Sequence, residues 1–485
     1  MSAATSQGLR WRAPLLIDGR WTDGNVSFPV FDKFTGEQIG EAAHATREQT
    51  DAAVTAARIS FERDPLDAQR RYQILHDTAA LVGTHRADFV ARIVAEAGFP
   101  LIDAENEVNR TIQTILVSAE EAKRLTGEMV PVESAPGNAY RMAFTLRVPR
   151  GVVCGISSFN SPLNMVAHKV APALGAGNTV IIKPPEKTPF SAVRLVELLL
   201  EAGLPPGHVA MVQGPGAEVG GWLIDNQEIR FYSFTGSTAV GKSLQRAIGL
   251  RPVILELGSV SATIVCDDGD LEGAAPRCVQ SAFRRAGQAC TSTQRLFVQR
   301  RVVEPFLERL IRETAHVQTG DPRDPRTIVG PMISESEARR AESWVQAAVD
   351  AGAHVVQGGA RRGSILEPTI LVDTHPSMKV LCEEIFAPVL SVIPFDTLEE
   401  VAAAVNSLPY GLAAGVFTRN INRAMFLARR LHVGIVHIND SSSSRVDLMP
   451  FGGVKDSGVG REGPKYAMQE MTEERLVTLS LENPE

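Results

Sequence analysis

The segment AGQACTSTQR, residues 286–295, carries one thiol, Cys290, between small and hydroxyl side chains. A cysteine in this setting is either a nucleophile or one more small buried hydrophobe. Acyl chemistry by a thiol also needs an oxyanion donor, a base and an acceptor for what leaves. Two residues elsewhere have suitable types. Asn160, in SSFNSPLN after an apolar run, has an amide NH2 able to donate to a developing oxyanion. Glu256, in VILELGS, ends a near-apolar run, where burial raises a carboxyl pKa and suits a general base near neutral pH. Glu256 reads as well as a paired structural carboxylate. Cys290 reads as well as an inert thiol, like Cys154 and Cys266 inside apolar runs.

Two glycine turns are candidates for holding phosphate. GPGAEVG, Gly214–Gly220, follows a β-type run and precedes a helical one, with a GxGxxxG spacing one residue longer than the usual dinucleotide fingerprint. Glycines such as Gly216 and Gly220 let backbone N–H groups approach a pyrophosphate, and a helix N-terminus favours its charge. Glycine turns after strands are also common in proteins that bind no nucleotide. FTGSTAVG, Phe234–Gly241, is a second such turn, with Ser237 and Thr238 as N-cap candidates. Lys183 and Glu186, in IIKPPEKTP, sit past a third apolar run, placed either to hold ribose hydroxyls or to form a solvated loop.

These residues need elements to position them. From residue 151 onward, β-branched runs (Val152–Ser157, Thr179–Lys183, Val209–Gln213, Arg230–Phe234, Val253–Leu257) alternate with stretches of helical spacing (Asn164–Leu174, Pro189–Ala202, Ala217–Asp225, Ala239–Ile248). That alternation predicts an α/β fold with a parallel sheet and crossover helices. A second set follows: LFVQ, two charged amphipathic helices, then HVVQ, ILEPTILV, PVLSVIPF, GLAAGVF and GIVHIN. The region before residue 120 reads as mostly helical, and Met129–Val148 as an extended, polar hairpin.

At 485 residues the chain is long enough for two or three domains. Its 44% apolar and 22% charged residues are those of a soluble globular protein, and a net charge of -7 without a basic stripe argues against nucleic acid. The first residues lack the apolar core of a signal peptide, and no apolar run reaches bilayer-spanning length, so a cytoplasmic protein without a membrane partner is expected. Five scattered cysteines and ten scattered histidines predict reduced thiols and no metal site.

Taken together and in order, FNSPL, APALGAGNTVIIKPPE, FTGSTAVG, LELG, GQAC, EEIFAPV, YGLAAGVF and PFGGVKDSGVGRE resemble the NAD(P)-dependent aldehyde dehydrogenase superfamily along nearly the whole chain. The resemblance implies Cys290 as nucleophile, Asn160 as oxyanion donor and Glu256 as general base, with Lys169 and Glu473 on a proton path serving that base. It implies Glu384 and Phe386 at the nicotinamide, Lys183 and Glu186 at the adenosine ribose, and Gly236 and Ser237 beside the pyrophosphate. Ser158, Phe159, Gly216, Gly220, Phe234, Val240 and Leu257 complete the implied cofactor set. The implied cofactor is NAD, with NADP possible, and the implied product is a carboxylic acid formed through a thiohemiacetal and a thioester.

The resemblance also implies a Rossmann-type cofactor domain (1–128 and 149–257), a second α/β catalytic domain (258–450) and a β-ribbon oligomerisation element (129–148 and 465–485) giving a homodimer or homotetramer. Three departures from the family pattern bear on the nicotinamide fit: GSVSA at Gly258–Ala262, Ala387 in EEIFAPV, and Phe159 before the asparagine. The closest look is to the branch acting on small polar aldehydes such as lactaldehyde, semialdehydes and phosphono- or sulfo-aldehydes. Arg284, Arg445 and Arg110 are the candidates for reading an anionic substituent, or else are ordinary salt-bridge partners. A catalytically silent scaffold and a CoA-acylating enzyme are the alternative readings. The retained Cys290, Asn160 and Glu256 disfavour the first, and Glu256, as water activator, disfavours the second.

Overall fold

Val152–Ile156, nearly all apolar, is paired on both edges, as a strand covered by helices on both faces should be. The computed structural model describes residues 11–482; the extreme ends of the expected cofactor and ribbon segments, 1–10 and 483–485, lie outside the described residues. One flank of Val152–Ile156 carries Thr179–Lys183 and then Val209–Met211, and the other carries Ile229–Thr235 and then Val253–Glu256, all parallel. Short antiparallel edge strands extend this to an eight-stranded sheet, with Gly458–Val459 at one end and Leu15–Ile17 and Arg20–Thr22 at the other. Strand order therefore reverses at Val152–Ile156, which opens a crevice at its carboxyl end, where doubly wound sheets bind ligands.

After Glu256 the chain crosses into a seven-stranded sheet, in the order His354–Gln357, Thr369–Val372, Val389–Phe395, Arg295–Gln299, Ala262–Val265, Ala413–Phe417, Ile435–Ile438. All its pairs are parallel except the edge strand His354–Gln357. Here the leading ends matter. Leu257–Ser261 precede Ala262–Val265, Cys290 precedes Arg295–Gln299, and Glu384–Phe386 precede Val389–Phe395. The trailing ends of the first sheet thus meet the leading ends of the second.

The helices fall close to their expected positions, at Asn164–Gly175, Phe190–Glu201, Val219–Asp225 and Thr238–Ile248. Upstream, Arg47–Arg63, Ala68–Thr84, Arg86–Ala97 and Leu101–Ala122 are helical, but residues 11–44 form short strands that the helical reading of this region did not foresee. The polar hairpin is real: Met129–Val130 and Arg141–Pro149 join Thr472–Ser480 in a three-stranded sheet, nine residues paired from Thr472 opposite Pro149 to Ser480 opposite Arg141. Among the described residues no helix is long and apolar enough to cross a membrane.

One buried amide ties these parts together. Asn178 Oδ1 accepts the Gly151 N–H at 3.0 Å, and its Nδ2 donates to Ala173 and Met471 carbonyls at 3.3 and 3.1 Å. Asn178→Ala would strand the buried Gly151 N–H and Met471 carbonyl, while the Ala173 carbonyl keeps the backbone N–H of residue 178 at 2.9 Å, so a loss of about 2–4 kcal/mol is expected. A clear fall in unfolding midpoint by calorimetry or denaturant titration is the measurement; an unchanged midpoint would show that water replaces the amide.

Candidate active site

Cys290, Asn160 and Glu256, separated by up to 130 residues in sequence, line one cavity of about 180 Å³ at the seam of the two sheets. Ser158, Phe159, Gly236, Ser237, Leu257, Glu384 and Phe386 share its walls. Cys290 follows a kinked turn in which Arg285, Ala286 and Gly287 take left-handed φ values of 53°, 53° and 67°. A Cβ on Gly287 would stand 2.1 Å from the Ala387 carbonyl, so only glycine lets the thiol loop meet the Phe386 loop. The Ser261 hydroxyl donates to the Cys290 carbonyl at 3.1 Å, and the Cys290 N–H has no acceptor among the described residues.

Asn160 is oriented from both sides. Its Oδ1 accepts the Ser158 hydroxyl at 2.7 Å, which assigns Nδ2 as the free donor, and its carbonyl accepts from Arg285 Nη1 at 3.2 Å. Arg285 is buried beside Glu107, whose Oε1 accepts the Leu163 and Asn164 N–H groups at 2.9 and 3.2 Å. One buried carboxylate thereby connects the helix after Asn160 to the turn before Cys290. Burial pushes the Arg285 guanidinium down to about 10, against the pull of Glu107.

Glu256 is buried and its Oε1 has no hydrogen-bond partner. Burial, then the negative charge of Glu462, push its carboxyl well above the ordinary value, while Arg445, Lys169 and Arg461 act against them. Lys169, fully buried, donates to Thr235 Oγ1 at 2.7 Å and to Glu462 Oε1 at 3.1 Å. Burial acts to raise Glu462, yet Lys169, His168 and Arg445 hold it down to about 2. The expectation for Glu473 is therefore corrected. Glu473 lies on the ribbon strand, 55% exposed, bonded to Arg150, and the carboxylate on Lys169 is Glu462. Glu462 closes the PFGGVKDSGVGRE motif, so its signal was present in the sequence, but its partner lies 293 residues away.

The thiol itself is costly to ionise here. Burial, then Glu256 and Glu384, push Cys290 up to about 12, and Arg445 is the cation acting the other way. Burial likewise raises Glu384 to about 7, against the Ser259 N–H that its Oε1 accepts at 2.9 Å. Phe386 has φ 50° and stands edge-on to Phe159 with ring centroids 5.8 Å apart. The left-handed residue of this loop is Phe386 and not Ala387, so alanine in place of glycine at 387 costs the backbone nothing.

The other expected residues are dispersed along the first sheet. Lys183 is buried at the end of its strand, with only the Pro184 carbonyl at 3.3 Å on its Nζ; burial lowers it to about 8, and exposed Glu186 opposes that. Ser237 caps Thr238–Ile248 by accepting the Val240 N–H, and Phe234 is the last residue but one of the strand before it, its ring 2.6 Å from where a Gly236 Cβ would stand. Gly216 and Gly220 lie at the turn into Val219–Asp225, where a Cβ would meet open space.

Of the three arginines, one adjoins the thiol cavity. Arg445 lies with Cζ 3.7 Å from the centroid of Phe451, a cavity wall; its Nη2 is 3.2 Å from His168 Nε2 and 3.4 Å from Glu462 Oε2, and its buried Nε has no hydrogen-bond partner. Arg110 is bidentate on buried Asp447, at 3.0 and 2.7 Å. Arg284 pairs with Asp103 at 3.2 Å and faces a different cavity, which corrects the expectation that it reads substrate beside the thiol.

Solved structures share this architecture. The NADP-dependent glyceraldehyde-3-phosphate dehydrogenase of Bacillus halodurans C-125, solved with NADP, matches with a TM-score of 0.95 and 33% identity, covering 97% of this chain and 100% of that one. The aldehyde dehydrogenase family model matches residues 21–477. A 3-sulfolactaldehyde dehydrogenase of Priestia aryabhattai is 44% identical over 467 residues, 96% of this chain and 98% of its own length. A lactaldehyde dehydrogenase of Methanococcus maripaludis is 36% identical over 471 residues, 96% and 99% of the two chains. The chain belongs to the aldehyde dehydrogenase family.

The charges around Cys290 set its reactivity in a testable direction. Arg445→Met removes the opposing cation and should slow iodoacetamide labelling of Cys290 at pH 8 several-fold, read by peptide mass spectrometry; Glu384→Gln should speed it. The reverse order would contradict the electrostatic account.

Proposed function

We propose that the protein oxidises a small aldehyde bearing an anionic or hydroxyl substituent to the carboxylic acid, with NAD or NADP. The observation that carries this reading is the single cavity shared by Cys290, Asn160 and Glu256. The Cys290 thiol passes its proton to water as Sγ attacks the aldehyde carbon, and the oxygen that gains negative charge sits against the Asn160 Nδ2 and Cys290 N–H donors. The hydride leaves the thiohemiacetal carbon and a thioester remains on Sγ. Glu256, kept basic by burial, takes a proton from water; that water adds to the thioester carbonyl, and the acid departs as Sγ regains a proton. The Lys169–Glu462 pair acts on Glu256 through its charges, Glu462 raising its carboxyl pKa and Lys169 lowering it.

NAD or NADP, when bound, would supply the hydride acceptor and a positive ring charge. The residues fit such a group. Lys183 is a buried ammonium without a carboxylate partner within salt-bridge distance among the described residues, Gly236 leaves room where a side chain would clash, and Phe159, Glu384 and Phe386 wall the cavity. We assign the eight-stranded sheet to the cofactor and the seven-stranded sheet to the thiol.

Arg445 supports the anionic substrate class. Its buried Nε–H has no hydrogen-bond partner among the described residues, the Asp447 carboxylate lying 3.7 Å away, and a sulfonate, carboxylate or phosphate on the aldehyde would give it one. The name of the 3-sulfolactaldehyde dehydrogenase points the same way, and that of the lactaldehyde dehydrogenase points to a hydroxyl substituent. The deciding assay follows NADH or NADPH at 340 nm with sulfolactaldehyde, succinate semialdehyde, lactaldehyde and propanal. Cys290→Ala should abolish turnover of all four. Arg445→Met should raise KM for the two anionic aldehydes by about 10- to 100-fold relative to propanal, the size of a lost charge-assisted contact; Arg284→Ala should not discriminate. Acyl-CoA instead of free acid when CoA is supplied would favour the acylating alternative.

The pH dependence has a definite sign. Glu256 works as a base when deprotonated, so deacylation rises with pH through its raised ionisation. Glu462→Gln removes a like charge that raises Glu256, so the rising limb should move to lower pH. A limb displaced to higher pH would contradict this arrangement.

We also assign the three-stranded ribbon to self-association. Met142 and Leu479 face each other across it, Leu146 shares their face, and all three are exposed. Leu146→Glu should reduce the mass seen by light scattering from a homo-oligomer to a smaller species; a wild-type monomer would end this reading.

A further inference from the structure

A second cavity, of about 240 Å³, lies between the strand Arg295–Gln299 and the helix Leu398–Asn406 and shares no residue with the thiol cavity. Its walls are largely apolar, with Phe297, Leu381, Ile393, Phe395, Val401 and Leu408 among them. Yet Arg295 lines it too. That guanidinium is only 5% exposed and has no carboxylate within salt-bridge distance among the described residues. Its Nη1 donates to the Ala404 carbonyl at 3.0 Å and its Nη2 to those of Val260 and Val405 at 3.2 and 3.5 Å, but its buried Nε has no partner. Thr374, on the same wall, has a buried Oγ1 that is likewise unpartnered. Ser391, opposite Arg295 in the strand register though not on the cavity wall, is a second unpartnered hydroxyl.

The Arg295 Cζ lies 5.6 Å from the Phe297 ring centroid, but no carboxylate among the described residues neutralises this cation. Lys455 adds a second positive charge, its Nζ donating to the Asn406 and Leu408 carbonyls at 3.1 and 2.7 Å. Glu400 reaches the cavity rim, but its Oε2 is taken up by the Asp396 and Thr397 N–H groups at 2.8 and 3.4 Å. Burial pushes Arg295 down to about 10, which leaves it charged at neutral pH. A buried cation with an idle donor, and an idle hydroxyl lining the same largely apolar chamber, are incomplete without an anion.

We propose that this cavity binds a small monocarboxylate with an apolar body, its carboxylate on Arg295 Nε and the Thr374 hydroxyl and its chain against the apolar wall. The site adjoins the catalytic segments through Gln294, the residue before Arg295. Gln294 Nε2 donates to the Val380 and Glu383 carbonyls at 2.9 and 2.7 Å, and its Oε1 accepts the Ile385 N–H at 3.2 Å. An occupant therefore rests against both the segment leading from Cys290 and the one leading to Glu384 and Phe386.

The test is titration calorimetry of the full-length protein with hexanoate, and with hexan-1-ol as the uncharged control of similar shape. Hexanoate should bind about tenfold or more tightly than the alcohol, as a charge-assisted contact requires. Thr374→Val should weaken hexanoate several-fold, and Ala404→Leu, which fills the chamber while keeping Arg295, should abolish its binding. Absence of hexanoate binding, or equal affinity for the alcohol, overturns the proposal. So does undiminished affinity in Ala404→Leu, which would place the acid elsewhere, including the thiol cavity. If Ala404→Leu does not fold, Thr374→Val decides alone, and unchanged affinity there overturns the proposal as well.

Discussion

A fully buried ammonium, Lys169, is the constraint around which the catalytic seam is arranged. A charge in that position is tolerable only when paired and hydrogen-bonded, and its partners come from distant parts of the chain: Thr235 at the end of a central strand, and Glu462 near the C-terminus. Satisfying Lys169 therefore requires the C-terminal segment to fold back over the first sheet. The same segment places the Gly458–Val459 edge strand beside Val253–Glu256, with Gly458 directly opposite Glu256. The base is thus enclosed by the backbone that brings Glu462. Its raised pKa follows from that enclosure: buried, without a hydrogen-bond partner on Oε1, and next to a carboxylate that Lys169 keeps ionised.

A second charge network holds the opposite wall. Asp447 accepts from Arg110 and lies 2.9 Å from His168 Nε2, and these two hold its carboxyl well below the usual range although burial acts to raise it. Asp447 thereby pins the loop that carries Arg445 to the helices Leu101–Ala122 and Asn164–Gly175. With Arg110 fully occupied in this way, Arg445 is the guanidinium left with a donor to offer. Glu107 does comparable work from the same long helix, joining Asn160 to the thiol turn through Arg285. Helix Leu101–Ala122 thus contributes positioning to both sides of the cavity while lending no residue to its lining.

The parts of this arrangement that were legible in the sequence are those encoded locally. Alternating apolar runs and helical spacing located the parallel strands of both sheets within a few residues, because a strand buried on both faces must be apolar throughout; the exception is the four-residue central strand Ala262–Val265, to which no run was assigned. The motif residues Cys290, Asn160, Glu256, Glu384 and Phe386 were legible through family resemblance, and the structure brings all five to one cavity. What was not legible is pairing across long sequence separations. Glu462 could not be told from Glu473 as the partner of Lys169, since both are carboxylates near the C-terminus and only the fold distinguishes a buried loop from an exposed ribbon. Arg284 is six residues from Cys290 yet faces away, because the left-handed turn at Arg285–Gly287 reverses the chain between them. The short strands of residues 11–44 have too few residues each for a period-two pattern to stand out.

The central claim is that Cys290 carries an acyl group which Glu256-activated water removes. Its most direct test is intact-protein and peptide mass spectrometry of Glu256→Gln quenched in acid seconds after mixing with aldehyde and NAD. The account predicts a stoichiometric adduct on the Cys290 peptide, of the mass of the acyl group, with about one equivalent of NADH released in a burst. No adduct on Cys290 despite NADH formation, or steady turnover at the wild-type rate in this variant, would contradict it.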